Sequence, residues 1–530
     1  MFRLLQGSLA AGVLILVFSS AMVHAAPNVV VILADDMGFS DAGCYGGEIE
    51  TPHLDSLAEN GLRFTQCYST ARCWPTRAAL LTGYYAQQVR RDALPDVAGG
   101  TSGARPDWAP LLSSVLKNAG YRCYHSGKWH LDGKALPNGF DQSYMGEGGR
   151  FFRPQRHFLN DKRLSAVGPD EDFYATTETA TYAVDFLKAH QQQHAESPFF
   201  LYLAFIAPHF PLQAPQADID KYRDRYLEGW DKLRAERFER LQELGIVDTT
   251  LSDLEPEIGP PYHFPDGLER LGPGEIYKPL PWDQLTDQQK EFQATKMAIH
   301  AAMIDRMDQE IGRVLDQIRE MDRWEDTLIV FLSDNGASAE IMVRDDGHDP
   351  SAPPGSAESY LCLGPGFSSA ANTPFRRHKT WVHEGGIASP CIVHWPAGIK
   401  SQGELRHEPV HVIDVFPTVL SLAGIESPTV WQGVDVPAKP GIDMTPLFVK
   451  DHSISHENLW WLHEGNRALR RGDWKIVAAK GDPWELYDLR TDRAEMNNLA
   501  SDNPDLTKEL AAEWEAETSA IRELVNSIEQ

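Results

Sequence analysis

The sequence predicts an α/β fold: a large mixed, mostly parallel sheet flanked by helices, followed by a small C-terminal subdomain. Residues 28–33 (NVVVIL) and 327–332 (TLIVFL) are continuous apolar runs, which is typical of strands buried on both faces. An amphipathic helix is predicted over residues 289–321. Beyond about residue 425 the candidate strands become short and turn residues separate them, so we expect a small antiparallel sheet with a final helix over residues 506–528.

The domain boundaries follow from the same patterns. Residues 1–25 carry Arg3, a short apolar core and small residues near the end, which indicates a signal peptide. We therefore expect an exported protein, periplasmic or extracellular, without a membrane span after cleavage; an uncleaved anchor is the alternative. Residues 26–425 would form the large α/β domain, and residues 426–530 an α+β subdomain. Within the first, residues 213–288 are predicted to be an irregular insertion with one charged helix over residues 222–244. Such an insertion would build a wall of a substrate site or an oligomer contact.

Charge and cysteine content exclude several classes of protein. The net charge of −27 argues against nucleic acid or an anionic membrane as a partner. Any site for an anion must then be a compact basic island, because distant charges are screened beyond about 10 Å. The six cysteines do not form a disulfide framework if one of them is reserved for chemistry, and a single bridge remains open.

The most informative segment is residues 70–83 (TARCWPTRAALLTG), whose centre is C-x-P-x-R. Arg72 and Arg77 favour an anion or a thiolate at Cys73. Pro75 and the following helix formers place Cys73 near the N-terminus of a helix, where free N–H groups also favour negative charge. For an isolated cysteine, burial in a loop-to-helix junction would be the simpler interpretation.

Further polar groups follow predicted strands in chain order. Taken singly, they could be a solvated turn, a surface lysine, loop histidines or a charged loop. Carboxylates at the end of a strand also lie where open α/β sheets bind ligands. The groups are Asp35-Asp36 after residues 28–33, Lys128 and His130 after 121–125, His209 after 199–207, Asp334-Asn335 after 327–332, and Lys379 ahead of Glu384-Gly385-Gly386.

Together these motifs resemble the formylglycine-dependent, arylsulfatase-like sulfatase family of the alkaline phosphatase superfamily. Cys73, Pro75, Arg77 and the segment Leu81-Thr82-Gly83 match the family signature, although Trp74 is bulky for its position and Thr76 stands where serine is commoner. Residues 485–489 (ELYDL) resemble the family's C-terminal subdomain. The resemblance implies an alkaline-phosphatase-like architecture. It also implies that a formylglycine-generating or equivalent maturation enzyme oxidises Cys73 to formylglycine, whose hydrate is the nucleophile.

A metal site is also implied by this resemblance. One divalent cation would be bound by oxygen atoms, with the modified Cys73 also reaching it. Carboxylate and amide oxygens suit Ca²⁺ or Mg²⁺; Ca²⁺ is favoured because the family uses it, and residue types do not exclude Mg²⁺. The implied ligands are Asp35, Asp36, Asp334 and Asn335.

The catalytic roles implied by the family divide among the remaining polar groups. Asp334 would help to deprotonate the nucleophile, and Arg77 would hold the modified residue. Lys128 and Lys379 would bind sulfate oxygens. His209, with Lys379, would protonate the leaving group, and His130 would take the proton that triggers sulfate release.

The resulting prediction is a secreted sulfatase for sulfate monoesters, with aryl sulfates accepted in vitro and sulfated carbohydrates as natural substrates. One alternative is a phosphatase or phosphodiesterase of the same superfamily, whose two-metal members usually have histidine where this chain has Asn335. The other is a sulfoglycan-binding protein that has lost catalysis.

Overall fold

The structure, a computed structural model, describes residues 26–95, 103–147, 150–344 and 347–527. The predicted signal peptide over residues 1–25 lies outside the described residues. No helix within the described ranges is both long enough and apolar enough to cross a membrane.

Within the described residues, the strands form a large sheet, a separate two-stranded sheet (β12 and β13 below) and a small four-stranded C-terminal sheet. In chain order they are β1 (Asn28–Ala34), β2 (Leu62–Tyr68), β3 (Arg122–Gly127), β4 (Gln142–Glu147), β5 (Arg156–Leu159), β6 (Lys162–Arg163), β7 (Phe199–Ala204), β8 (Thr327–Ser333), β9 (Ala388–His394), β10 (Glu404–Arg406), β11 (Val410–His411), β12 (Val430–Trp431), β13 (Val434–Asp435), β14 (Leu459–His463), β15 (Asn466–Arg471), β16 (Trp474–Ala478) and β17 (Glu485–Asp488).

Helices cover both faces of the large sheet. They are α1 (Pro52–Glu59), α2 (Cys73–Thr82), α3 (Leu112–Asn118), α4 (Ala175–Gln193), α5 (Gln216–Tyr222), α6 (Gly229–Glu243), α7 (Pro265–Leu271), α8 (Asp287–Glu320), α9 (Gly364–Ala371), α10 (Glu384–Ile387), α11 (Val415–Leu422), α12 (Thr445–Val449) and α13 (Pro504–Ser527).

The large sheet has eleven strands and is mixed, as predicted, with the order β10-β2-β9-β8-β1-β7-β3-β4-β5-β6 and β11 beside β2. Its centre, β8-β1-β7-β3, is parallel. Ala34 pairs with Ser333, while Leu33 and Gly127 both register with Ala204. The carboxyl ends of these four strands are therefore level, and the segments that follow them emerge at one edge.

Strand β1 shows why the sequence forms this sheet. Val30 and Ile32 pack into the core on one face, whereas Val29 and Val31 pack into the core on the other. All four side chains are fully buried. A strand covered on both faces has no polar side to conserve, so it is a continuous apolar run instead of an alternating one.

The C-terminal sheet confirms the predicted short antiparallel strands, in the order β14-β15-β16-β17. It packs under α13, where the Trp460 and Trp514 rings stack at 6.2 Å. A buried ion pair connects it to α10: Lys475 Nζ lies 2.9 Å from Glu384, and also 2.7 Å from Glu495 of its own subdomain. The subdomain therefore reaches the segment that begins at Lys379.

The insertion over residues 213–288 has two short helices in addition to the predicted one, which is α6. It contains α5, α6 and α7, and α6 begins at Gly229, whose φ of 85° a residue with a side chain would adopt only under strain. Among the described residues that line the cleft over Cys73, none comes from this insertion. The described lining therefore does not support the substrate-wall alternative, and the oligomer-contact alternative stays a prediction. Instead, α5 packs against α8 and α6 packs against α9.

Candidate active site

The candidate site lies where the four parallel strands end. Asp35 and Asp36 directly follow β1, and Asp334 and Asn335 directly follow β8. Lys128 follows β3, and His209 lies on the loop after β7. The structure therefore brings together groups that are about 300 residues apart in the chain. The backbone N–H of Asp36, for example, lies 3.3 Å from Oδ1 of Asp334.

Cys73 is the first residue of α2, with Arg72 at the N-cap position. No side chain caps this helix end within the described residues. The thiol is almost completely buried. Because the unpaired N–H groups and the helix dipole favour negative charge, the start of α2 is suited to an anion.

Arg77, one turn further along α2, is fully buried and connects three parts of the site. Its Nε and Nη2 donate to Asp334 Oδ2 at 3.1 and 2.7 Å, and its Nη1 donates to the Lys128 carbonyl at 3.1 Å. Arg77 Nη2 also lies 3.6 Å from Asp35 Oδ2. The guanidinium thus fixes α2 against the ends of β8, β1 and β3 with charge-assisted hydrogen bonds.

The carboxylates and Asn335 form a donor set that fits a hard divalent cation. Two groups of side chains each place three possible ligand atoms within 4.8 Å of one another. The first group is Asp35, Cys73 and Asp334, and the second is Asp35, Asp36 and His209. Asp35 Oδ1 and Asn335 Oδ1 are buried, and among the described residues neither has a hydrogen-bond partner. Burial and the adjacent charge of Asp35 raise the pKa of Asp334. A cation would satisfy both orphaned oxygens and relieve this repulsion.

Two lysines contact the same carboxylates. Lys128 Nζ donates to Asp35 Oδ2. Lys379 Nζ lies 2.6 Å from Asp36 Oδ1 and 2.8 Å from Oδ2. Burial lowers the pKa of Lys379, but the charges of Asp36 and Glu340 outweigh it and raise that pKa above its ordinary value. Lys379 is therefore a buried ammonium group.

Glu340 is a site residue that the sequence analysis missed. Its side chain is 1% exposed and lies 3.2 Å from Arg72 Nη2 and 3.5 Å from Lys379 Nζ. It stands in the loop five residues after Asn335, in a segment without a recognisable motif, so only a lone acidic residue among small ones marks it. Glu340 balances two cations beside Cys73 and fixes their positions.

The two predicted histidines lie on the cleft with different surroundings. His209 donates from Nδ1 to the Phe210 carbonyl at 2.6 Å, which leaves Nε2 facing Asp36 Oδ2 at 3.7 Å. Burial and the charges of Lys379 and Lys128 lower the pKa of His209 to about 4, although Asp36 opposes them. His130 has a φ of 53° and its ring contacts Trp74 edge-on at 5.7 Å.

A cleft of about 540 Å³ opens over these residues. Cys73, Lys128, His130 and His209 line it, with Cys73 buried and His130 exposed, and Trp74 and Phe210 supply aromatic walls. In the described part of the lining no side chain is an Asp or Glu. The protein is strongly acidic overall, so this is the basic island that an anionic substrate requires. A strand-edge site with clustered carboxylates, a helix N-terminus and two lysines is that of a hydrolase for esters of a tetrahedral oxyanion.

Comparison with known proteins narrows this class. The sulfatase profile matches residues 27–425, and a profile for the C-terminal part of N-sulphoglucosamine sulphohydrolase matches residues 376–523. The chain belongs to the sulfatase family, and it is an arylsulfatase-like sulfuric ester hydrolase.

Individual relatives agree with this. An uncharacterized sulfatase of Schizosaccharomyces pombe is 33% identical, over 93% of this chain and 94% of the relative. The arylsulfatase of Klebsiella aerogenes is also 33% identical, over 76% of this chain and 87% of the relative. One similar solved structure is of a protein, BT4656, in complex with its substrate D-glucosamine-2-N,6-O-disulfate. The two sequences are 19% identical, and the match covers 94% of this chain and 98% of that chain. The TM-score of 0.62 shows that the two proteins share a fold.

Proposed function

We propose that this exported sulfatase hydrolyses sulfate monoesters of carbohydrates, and aryl sulfates as surrogates, with residue 73 as its nucleophile. The observation that carries the proposal is the position of Cys73 at the start of α2, where its Sγ and one oxygen each of Asp35 and Asp334 lie within 4.8 Å of one another. The protein of the same fold that was solved with a disulfated glucosamine supports a sulfated sugar as the natural substrate.

The proposal includes maturation of Cys73 by a formylglycine-generating or equivalent enzyme. The hydrated aldehyde would supply a hydroxyl nucleophile together with a second hydroxyl for release of sulfate. A cation, Ca²⁺ in preference to Mg²⁺, would be held by Asp35, Asp36, Asp334 and Asn335, where it would stabilise negative charge on oxygen and lower the pKa of a bound hydroxyl.

The chain's own groups supply binding and orientation. Lys128 and Lys379 already face carboxylate oxygens, so their ammonium groups are placed for oxyanions and would bind the sulfate oxygens. Arg77 would orient residue 73 and hold Asp334, which would accept the proton of the nucleophile. Each group that acts only in the transition state is expected to contribute about 10²–10⁴-fold to the rate.

Proton transfer to the leaving oxygen falls to His209, together with Lys379. The Nδ1–H bond to the Phe210 carbonyl fixes the ring, so Nε2 is the atom that would carry the transferable proton. The charges of Lys379 and Lys128 help to lower the pKa of His209, and bound sulfate would offset both of them. His130, on the cleft wall, would accept the proton that releases sulfate.

Paired turnover measurements test this function against its main rival. With purified enzyme, 4-nitrophenyl sulfate should be hydrolysed far faster than 4-nitrophenyl phosphate, and Cys73→Ala should lose sulfate turnover while keeping the wild-type circular dichroism spectrum. A phosphate preference would instead identify a phosphatase. Binding of sulfated sugars without any turnover would identify a lectin-like protein.

A further inference from the structure

The outer part of the cleft carries positive charge that the sulfate ester alone does not require. Beyond Arg72 and Lys128 near residue 73, the lining includes Arg150, Arg156 and Arg344. Arg156 and Arg344 are exposed and Arg150 is half-buried, whereas Cys73 is buried at the inner end. Three arginines therefore surround the mouth of a cleft in a chain whose net charge is −27.

Arg344 is held near the sulfate-binding groups by an aromatic ring. Its Cζ lies 5.4 Å from the centroid of the Phe210 ring, and Lys379 Nζ lies 5.7 Å from the same centroid. Its Nε donates to the sulfur of Met342 at 3.2 Å. Within the described residues no carboxylate lies within ion-pairing distance of Arg344. One ring thus separates a cation of the predicted sulfate site from a cation at the mouth.

Arg150 comes from a different segment of the chain and lies beside Gly347, three residues after Arg344. The Gly347 N–H donates to the Arg344 carbonyl at 3.0 Å, and residues 345–346 lie outside the described ranges. A Cβ on Gly347 would lie 1.9 Å from Arg150 Nη2, so the guanidinium packs directly against this glycine. Among the described side chains, Arg150 also has no ion-paired carboxylate.

We propose that Arg150 and Arg344 bind a second anionic group of the substrate, a sulfate or a carboxylate, outside the ester that is cleaved. The proposal rests on the proposed function and specifies it: the natural substrate is a sugar with at least two anionic groups. Guanidinium groups form paired hydrogen bonds with the oxygens of both kinds of anion. Arg156 also lines the cleft.

The test compares substrates that differ by one anion. Kinetics would be measured on 4-nitrophenyl sulfate, a sugar monosulfate, the same sugar with a second sulfate, and the monosulfate joined to a uronic acid. The variants are Arg150→Gln, Arg344→Gln and the double variant. Arg153→Gln is the matched control, because Arg153 is a nearby arginine paired with Glu358 that does not line the cleft.

We expect each cleft substitution to raise KM for a two-anion substrate by about 10-fold or more, since one hydrogen bond to a charged group is worth about 1.5–3 kcal/mol. The kcat should change little, because the contact is made equally in the ground state and the transition state. Turnover of 4-nitrophenyl sulfate, and all kinetics of Arg153→Gln, should stay within about 3-fold of wild type. The arm with the larger loss distinguishes sulfate from carboxylate.

Equal losses on one-anion and two-anion substrates, or a wild-type enzyme without preference between them, would overturn the inference and leave the sulfatase function standing. Absence of aryl sulfate turnover would count against the proposed function instead. Calorimetry in a Cys73→Ala background keeps the two separable, since it measures binding of the two-anion sugar without turnover. There, Arg150→Gln and Arg344→Gln must weaken binding of that sugar more than binding of the monosulfate, or the inference fails.

Discussion

Glu340→Gln is the substitution that tests most sharply how the site is held together. The change keeps the shape of the side chain but removes one negative charge from between Arg72 and Lys379. At the observed separations of 3.2 and 3.5 Å, each attraction is worth about 5 kcal/mol for an effective dielectric constant of about 20. Desolvation offsets much of this, and removing one member of a buried ion pair costs about 3–5 kcal/mol.

We therefore expect the variant's free energy of unfolding, measured in urea, to be about 3 kcal/mol below that of wild type. This is the low end of that range, because Lys379 keeps Asp36 as a partner. Lys379 would also lose one of the two carboxylates that position it. A displacement of about 1 Å in a catalytic group can cost about 10²-fold, so kcat on 4-nitrophenyl sulfate should fall by about that factor. Glu358→Gln, at a half-exposed carboxylate paired with Arg153, is the control and should change neither quantity appreciably.

The pH dependence of this stability difference has a definite sign. Burial alone would raise the pKa of Glu340, but Lys379, Arg72 and His209 lower it to about 2, from 4.5. Its stabilising contribution is thus complete above about pH 4.5 and is lost as the pH falls toward 2. The difference between wild type and Glu340→Gln should shrink over that interval. A variant with the wild-type urea midpoint and wild-type kcat would refute the reasoning.

Three further predictions concern the metal, Arg77 and the subdomain contact. Removing divalent cations with a chelator should lower both Tm and kcat, and added Ca²⁺ should restore both, because a ligand that binds the folded state stabilises it; a chelator without effect would contradict the donor set. Arg77→Lys keeps the charge but cannot bond Asp334 and the Lys128 carbonyl together, so kcat should fall by about 10²-fold or more, with wild-type kcat as the contrary result. Lys475→Met removes the ammonium group that pairs with both Glu384 and Glu495. The free energy of unfolding, measured in urea, should therefore fall by about 3–5 kcal/mol. An unchanged urea midpoint would show that these buried charges do not stabilise the subdomain contact.

The strands that precede the site residues could be predicted from the sequence, because a continuous run of apolar residues indicates a strand that is buried on both faces. Strands β1, β7 and β8 are apolar runs, and the polar groups that follow them stand at the strand ends, where parallel strands expose their ligand-binding edge. Strand β2 (LRFTQCY) was not predicted. It lies toward one side of the sheet, with a register irregularity between Phe64 and Cys67, and its polar residues disrupt both the apolar run and the alternation.

The rest of the site depends on contacts between distant segments. Glu340 pairs with Arg72 and Lys379 only because the fold brings the loop after β8 against both of them. The residues around Glu340 in the sequence do not indicate these contacts. Arg150 and Arg344 are likewise ordinary loop arginines until the fold brings the Arg150 guanidinium and the Arg344 carbonyl against Gly347. The helices α5 and α7 within residues 213–288 were not predicted for the same reason: they are short, and their helical form depends on packing against the rest of the domain.

The chemical state of residue 73 in active enzyme tests the central claim most directly. Mass spectrometry of the peptide that contains residues 70–83, isolated from material with measured 4-nitrophenyl sulfate turnover, should show an aldehyde in place of the thiol. The fraction converted should rise in proportion to specific activity across preparations. Fully active enzyme whose Cys73 remains an unmodified thiol would contradict the account.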